Sequence, residues 1–287
     1  MMKKIVWMMT MVFFLSGCFY SKSMAAETGQ ETATTEAANT AGQETATEAQ
    51  KKTVVKKGNC DAYIGLSKNY WVLATAKKRV GVYQKPSAKS KILGRFTKNN
   101  CVVVNTAGMK KGKNHAWIKV YLQNKKTGYV RLGQVSLGKL NVKNFGLKTS
   151  SKKNKQRIKI CRYGLPYMGT RFVLGGSSLK YGIDCSTFAR KALRSAGVKV
   201  SSYALAVNLS NSGKKIKRSQ LKPGDMVFYY NSSKDRRIGH CAIYIGNGYI
   251  INASGHQGHT YPSGGIRISR IDYRTPTAVK FRNLVGN

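Results

Sequence analysis

The order of apolar and polar positions divides the chain into two different regions. Between about Tyr70 and Leu140, short runs rich in β-branched and aromatic residues are separated by Lys, Gly, Asn and Ser turns. Several short strands at this spacing predict a small all-β barrel or sandwich. From about Lys155 helical and alternating runs are mixed, which predicts an α+β domain of about 130 residues. The Lys-, Asn-, Ser- and Gly-rich residues 141–154 predict a linker.

One predicted helix begins directly after a glycine-rich loop. In residues 167–197, Gly175 and Gly182 mark the loop, and apolar residues then recur at helical spacing. Cys185 falls in the first turn, where unpaired backbone N–H groups and the positive end of the helix dipole favour a thiolate. Taken alone, a free Cys is more often a small buried hydrophobe. Its position nevertheless makes Cys185 a candidate nucleophile.

A candidate base and a candidate orienting group follow on two predicted strands. Alternation in GHCAIYIGNG divides its residues between two faces, with His240, Ala242 and Tyr244 on one and Cys241, Ile243 and Ile245 on the other. Asn252 follows in YIINASG, where it is placed to accept the second N–H of an imidazole. Cys185, His240 and Asn252 thus predict a nucleophilic site that needs no metal or organic cofactor.

Five segments of this second region occur in the order and spacing of a known family. GTRFVLGG, GIDCSTF, LKPGDMVFYY, GHCAIYIGNG and INAS make residues 155–287 resemble the NlpC-type cell-wall cysteine endopeptidases. The resemblance implies a circularly permuted papain-like fold of the α+β class. It also implies hydrolysis of peptidoglycan stem peptides, between γ-D-glutamate and the diamino acid.

The same resemblance implies roles for individual residues. Cys185 would be the nucleophile, His240 the general base and later the acid, and Asn252 the orienting residue. Asp184 and Ser186 fall where the family holds the free amine of the N-terminal L-alanine of the stem. A carboxylate facing that amine implies a substrate already released from its sugar, because an amide offers no charge to pair with.

Departures from the family pattern leave an alternative open. Phe172 stands at a substrate-binding position where the family has a Tyr whose hydroxyl reaches the substrate or the oxyanion, and Thr187 replaces a Gly. Loss of one oxyanion donor lowers the rate by roughly 10²- to 10³-fold. The alternative is a weak or inactive relative that only binds or scaffolds the wall. An amidase or acyltransferase with the same Cys185 and His240 is a third reading.

The all-β region carries a second resemblance. The segments VGVYQKPSAKSKILGRF, CVVV and AWIKVYLQNKKTGYVRL make residues 58–140 resemble a bacterial SH3-like domain. In exported proteins such domains usually bind cell-wall peptide, so the resemblance implies a wall-binding module. Because a fold does not fix a function, a barrel that only spaces the second region is the alternative.

The N-terminal residues 1–26 read as a secretory signal peptide. A basic start precedes an apolar run that is shorter than the roughly 20 residues of a spanning helix. The sequence LSGC resembles a lipobox ending at Cys18, whereas SMA at 23–25 offers an ordinary cleavage site. Both routes predict an exported protein of the cell wall, with membrane contact only through a lipid at Cys18. Residues 27–57, rich in Glu, Thr and Ala, predict a disordered tether.

The charge of the chain changes what partners are expected. The formal net charge is +41, and from Lys51 onward 48 Lys and Arg residues face five Asp and no Glu. In an exported protein this predicts adhesion to anionic cell-wall polymers. We find no helix-turn-helix, zinc-finger or nucleoprotein motif, so no nucleic-acid partner is expected. Five scattered Asp also argue against a glycosidase pair or a Mg²⁺ or Ca²⁺ cluster. We expect a monomer.

Two histidines, one aspartate and the cysteine count lead to further expectations. His256 and His259 in GHQGH lack further ligands nearby, so no metal site is predicted there. Asp225 follows a Pro-Gly turn and is expected to stabilise that turn. Without the signal-region cysteine five Cys remain, and this odd count indicates a free thiol while leaving a bridge between Cys60 and Cys101 open.

Overall fold

The computed structural model of the chain describes residues 58–123 and 126–286. The predicted signal peptide, the lipobox at Cys18 and the tether at 27–57 lie outside the described residues. Among the helices that are described, none has the length and apolar character required to cross a membrane.

The first half of the described chain contains nine short strands. They are β1 (Gly58–Asn59), β2 (Tyr70–Ala76), β3 (Val80–Tyr83), β4 (Ile92–Phe96), β5 (Cys101–Val103), β6 (Asn114–His115), β7 (Trp117–Tyr121), β8 (Thr127–Arg131) and β9 (Val135–Asn141). They form a three-stranded sheet β5-β2-β9, a four-stranded sheet β4-β3-β8-β7 and a β1-β6 pair. Alternation along the strands buries side chains such as Val82, Phe96 and Val120 in a common core.

The second half mixes helices and strands, so the α+β prediction is confirmed. Its helices are α1 (Lys152–Tyr163), α2 (Cys185–Ser195) and α3 (Ala206–Ser210). Its strands are β10 (Ser177–Ser178), β11 (Gly182–Ile183), β12 (Lys214–Lys215), β13 (Met226–Tyr230), β14 (Ile238–Gly246), β15 (Tyr249–Ser254), β16 (Gly265–Arg270) and β17 (Lys280–Asn283). Six of them form one antiparallel sheet in the order β12-β17-β13-β14-β15-β16.

Strand β14 places alternate side chains in two different cores. Cys241, Ile243 and Ile245 join a cluster that contains Phe188 and Leu193 of α2. Ala242 joins a second cluster with Val227, Tyr229 and Ile250. The predicted division of this strand between two faces is therefore confirmed, and both faces of the sheet are covered.

The two halves pack against each other rather than being separated by a solvated spacer. The Ser269 hydroxyl donates to Asn100 Oδ1 at 2.8 Å, and the Val103 N–H donates to the Tyr261 hydroxyl at 2.9 Å. Phe145, from the segment predicted as a linker, is buried in the same cluster as the α2 side chains. The first half therefore contributes hydrogen bonds and packing contacts to the second half.

Candidate active site

The loop before α2 is shaped by a glycine that no other residue replaces easily. Gly182 has φ +146, and a Cβ at this position would collide with the side chain of Val173. Ile183 then forms a parallel bridge with Phe172, which ties the loop to the segment preceding it. The loop delivers the chain to the first turn of α2, where Cys185 lies as predicted.

Asp184 is the N-cap of helix α2. Its Oδ1 accepts from the Thr187 N–H at 2.6 Å and from the Ser186 hydroxyl at 3.0 Å. Within the described residues the other carboxylate oxygen, Oδ2, makes no hydrogen bond. Asp184 and Ser186 are both buried beside the thiol-bearing residue. One oxygen of this carboxylate therefore caps the helix, and the other remains free for a further donor.

The surroundings of Cys185 favour its thiolate. The largest cause is the hydrogen bond from the Cys241 thiol, and the adjacent His240 imidazole and the Cys241 backbone N–H act in the same direction. Together they hold the pKa of Cys185 well below its usual range, although burial opposes them. A thiol of lowered pKa at a helix start is chemically suited to act as a nucleophile.

The other four described cysteines behave in the opposite way. Burial raises the pKa of Cys60 and Cys161 and raises that of Cys101 to about 12. The hydrogen bond to Cys185, followed by burial, raises the pKa of Cys241. All five described cysteines are free thiols, so the bridge between Cys60 and Cys101 that the cysteine count left open is not formed.

His240 lies on β14, directly opposite Tyr229 of β13, and is almost completely buried. Its Nε2 lies 2.8 Å from the hydroxyl oxygen of Tyr273, whose ring is edge-on to the imidazole. With Nε2 engaged by Tyr273, the hydrogen bond between the His240 side chain and Cys185 falls to the other ring nitrogen. A candidate base and a candidate nucleophile are thereby brought together by two elements distant in sequence.

The sequence predicts that Asn252 accepts a hydrogen bond from the imidazole, but in the structure the two side chains are not in direct contact. Asn252 Oδ1 accepts from the Tyr273 hydroxyl at 3.1 Å, and its Nδ2 donates to the Arg267 carbonyl at 3.5 Å. The reason is steric, since the Tyr273 hydroxyl lies between the amide and the imidazole. Asn252 itself is completely buried on β15.

Phe172 belongs to a wall formed by two loops. Its N–H donates to the His259 carbonyl at 2.9 Å, and its carbonyl accepts from the Gly258 N–H at 2.8 Å. The half-buried ring packs against the core cluster that includes Cys185. His256 and His259 lie edge to face in the same loop. In the part of the chain that the structure describes, no three His, Cys, Asp or Glu side chains are grouped to hold a metal ion.

This arrangement of segments corresponds to a recognised family. Residues 169–275, which include Cys185, His240 and Asn252, match the NlpC/P60 family. The chain contains an NlpC/P60 domain.

Three curated relatives show the range of proteins that share this domain. The chain is 36% identical over 104 residues to the probable endopeptidase NlpC homolog of Haemophilus influenzae, covering 34% of this chain and 49% of that protein. It is 38% identical over 95 residues to the murein DD-endopeptidase MepS/murein LD-carboxypeptidase of Escherichia coli, covering 32% and 46%. It is 37% identical over 75 residues to the peptidoglycan DL-endopeptidase CwlO of Bacillus licheniformis, covering 26% and 16%. The chain spans about half the length of the first two relatives.

The bulk of Thr187 in the NlpC/P60 domain suggests that it crowds the Cys185 thiol, but its side chain is engaged elsewhere. Its hydroxyl accepts from Arg190 Nη2 at 2.6 Å, one helical turn further along α2. Arg190 also donates to the Ala204 carbonyl at 3.3 Å. The side chain of Thr187 is therefore directed along the helix, where it holds Arg190.

The sequence alone did not predict that Tyr273 and Cys241 of the NlpC/P60 domain contribute to the site. Tyr273 lies 33 residues after His240 in an irregular segment, so no periodicity connects the two. Cys241 shares its strand face with Ile243 and Ile245, which indicates a core residue, and it does lie in the core. No local signal predicts that its thiol reaches Cys185, because alternation places Cys241 and the candidate base on opposite faces of β14.

Proposed function

We propose that the chain is an exported cysteine endopeptidase that hydrolyses peptidoglycan stem peptides. The observation that carries the proposal is the pairing of the Cys185 thiol, whose pKa is lowered, with the buried imidazole of His240 at the start of α2. The three relatives are named as endopeptidases, and two of the names include murein or peptidoglycan, which supports the same substrate class.

The proposed reaction uses only groups of this chain and water. His240 takes the Cys185 proton, and the thiolate attacks the carbonyl carbon of the scissile amide. The Cys185 backbone N–H at the helix start stabilises the oxyanion. His240 then protonates the departing amine of the diamino acid, leaving a thioester on Cys185. Water, deprotonated by His240, attacks this thioester and releases the γ-D-glutamyl product and the thiol.

The free oxygen of Asp184 is the basis for the proposed recognition of the substrate. A buried carboxylate with one unused acceptor suits an ammonium group, and the Ser186 hydroxyl lies beside it. We assign Asp184 and Ser186 to the amine of an N-terminal L-alanine, with Phe172 in the wall of the cleft. The bond between γ-D-glutamate and the diamino acid then lies in the cleft. The relatives' names include both DL- and DD-endopeptidases, so the bond is part of the proposal.

The remainder of the chain is assigned to delivery of this domain to the wall. We propose that residues 58–140 are an SH3-like wall-binding module, supported by two small sheets around a shared core. The excess of Lys and Arg suits anionic wall polymers. Export through the signal at 1–26, with or without a lipid at Cys18, places the enzyme where its substrate is.

Mass spectrometry of defined muropeptides tests the proposal. The full chain is incubated with stem peptides bearing a free N-terminal L-alanine and with the same peptides still linked to muramic acid. We expect cleavage after γ-D-glutamate in the first set only, abolished by Cys185→Ala. Cys161→Ala, which removes a buried thiol on α1, is the matched control and should cleave normally. Absence of cleavage in both sets, with retained sedimentation on purified wall, would instead favour the wall-binding alternative.

A further inference from the structure

The hydroxyl of Tyr273 joins the candidate base to a buried amide. Its oxygen lies 2.8 Å from His240 Nε2 and 3.1 Å from Asn252 Oδ1. The Asn252 amide is turned so that its Nδ2 faces the Arg267 carbonyl and its Oδ1 faces the phenol. The hydroxyl thus occupies the place where a direct contact between imidazole and amide would otherwise form.

The direction of the protons follows from the chemistry of the three groups. An amide oxygen only accepts, so the single proton of the Tyr273 hydroxyl is donated to Asn252 Oδ1. The phenol oxygen then accepts from the His240 Nε2–H. The proton of a neutral imidazole is therefore held on Nε2, and Nδ1 keeps the lone pair that faces Cys185.

The surrounding packing holds the phenol in place. The Tyr273 ring lies edge-on to Tyr229, with ring centroids 5.7 Å apart, and the Arg267 guanidinium lies 5.8 Å from the Tyr273 ring centroid. Burial raises the pKa of Tyr273, so its hydroxyl keeps its proton across the pH range in which the thiolate forms. A locked and protonated phenol can orient an imidazole without competing for its proton.

We propose that Tyr273 is a positioning residue that holds the His240 tautomer and stabilises the imidazolium formed when Cys185 loses its proton. The inference rests on the proposed endopeptidase function and adds a fourth member to its residues. Tyr273 acts through His240 and does not touch the reacting atoms. Asn252 acts in turn by fixing the phenol rather than the imidazole.

The charged and titratable groups around this relay come from several elements. Cys185 from α2 and Tyr229 from β13 lie beside the imidazole, and Cys241 from β14 contacts Cys185. The phenol is approached by the cations Arg267 and Arg274, whose charges oppose the effect of burial on the Tyr273 pKa. Asp272, whose negative charge raises the pKa of Tyr229, forms an ion pair with Arg218 at 2.6 Å.

The test compares Tyr273→Phe with Tyr229→Phe in the full chain. Both variants remove one hydroxyl from the same aromatic cluster, but the buried Tyr229 hydroxyl donates to the Ile271 carbonyl and not to the imidazole. The first readout is the pH dependence of Cys185 alkylation by iodoacetamide, located by peptide mapping. The second is kcat and KM for muropeptide cleavage. Thermal unfolding of each variant confirms that it is folded.

We expect Tyr273→Phe to move the alkylation midpoint up by about one pH unit and to lower kcat by about 10- to 100-fold, with KM little changed. Tyr229→Phe should leave both readouts as in the unmodified chain. Asn252→Ala should act in the same direction as Tyr273→Phe, and the double variant should lose no more than the worse single variant. An unchanged midpoint in Tyr273→Phe, equal effects of both Tyr variants, or additive losses would overturn the proposal.

The two readouts separate failure of this inference from failure of the proposed function. Alkylation needs no knowledge of the substrate. If the chain cleaves no muropeptide but Tyr273→Phe still shifts the alkylation midpoint, the endopeptidase proposal fails and the positioning role stands. If cleavage occurs and Tyr273→Phe cleaves at the normal rate with the normal midpoint, the positioning role fails alone.

Discussion

Arg157 of α1 donates to Asp225 Oδ1 at 2.8 Å, and both side chains are almost completely buried. The other oxygen of Asp225 accepts from the Lys222 N–H at 2.8 Å, as expected for a carboxylate that stabilises the Pro-Gly turn. Arg157 also donates to the Pro223 carbonyl and to Asn283 Oδ1. A single ion pair therefore joins α1, the turn before β13 and the end of β17.

Removing one member of this pair should destabilise the NlpC/P60 domain strongly. Asp225→Ala leaves a buried guanidinium without its counter-charge, so we expect the free energy of unfolding to fall by about 3–5 kcal/mol in urea titrations. The double change Arg157→Met with Asp225→Leu should recover most of this loss, because it removes both charges. Asp235→Ala, which breaks the exposed pair with Arg237, is the control and should have no measurable effect. An equal loss in Asp225→Ala and Asp235→Ala would contradict the structural role.

Iodoacetamide should label one described cysteine selectively near neutral pH. The thiolate is the reactive form, and only the pKa of Cys185 is lowered, whereas the pKa values of the other four described cysteines are raised. The labelling rate of Cys185 should therefore reach its plateau at a lower pH than that of an unperturbed thiol, and fall only as the pH drops through the lowered pKa. An unperturbed thiol would still gain rate up to about pH 8.5. Peptide mapping after short exposure measures this, and uniform labelling of several cysteines would argue against a nucleophilic Cys185.

The thiol of Cys241 should tune the reactivity of Cys185. Because the hydrogen bond from Cys241 is the largest cause of the lowered pKa of Cys185, Cys241→Val should raise that pKa and move the alkylation midpoint up by about one pH unit. Valine preserves the apolar packing of this side chain on the helix-covered face of β14. Cys161→Ala, whose thiol donates to the Tyr244 carbonyl at 3.6 Å, is the matched control for loss of a buried thiol. A midpoint that moves equally in both variants would point to general loosening of the core.

Local patterns were sufficient to predict the parts of the site that depend on one element. The apolar spacing after Gly182 predicts a helix that begins at Cys185, and alternation in β14 predicts which side chains accompany His240. Both predictions follow from periods of 3.6 and 2 residues, which any folded helix or strand must satisfy. The α+β class follows from the same periods.

Contacts between distant segments were not predictable in this way. Tyr273 reaches His240 from an irregular segment after β16, and its ring packs against Tyr229 and Arg267, which come from two other strands. Nothing in the local sequence around Tyr273 distinguishes it from a surface aromatic residue. The hydrogen bond between Val103 and Tyr261 was equally unpredictable. It joins two regions whose local sequence patterns give no indication of a contact between them.

Asp184→Asn should separate the structural role of this residue from its proposed role in recognition. An asparagine Oδ1 still accepts from the Thr187 N–H, so α2 should keep its cap and the thermal midpoint should change little. The negative charge is lost, however, and the amide offers no counter-charge to an ammonium group. For peptides with a free L-alanine amine we expect kcat/KM to fall by about 10- to 100-fold.

Acetylation of the same amine should weaken cleavage by the unmodified chain but make little further difference in Asp184→Asn. Asp184→Ala, which removes both cap and charge, should in addition unfold at a lower temperature. If Asp184→Asn cleaves free-amine peptides at the normal rate while Asp184→Ala is merely less stable, Asp184 caps the helix and another group must read the substrate terminus.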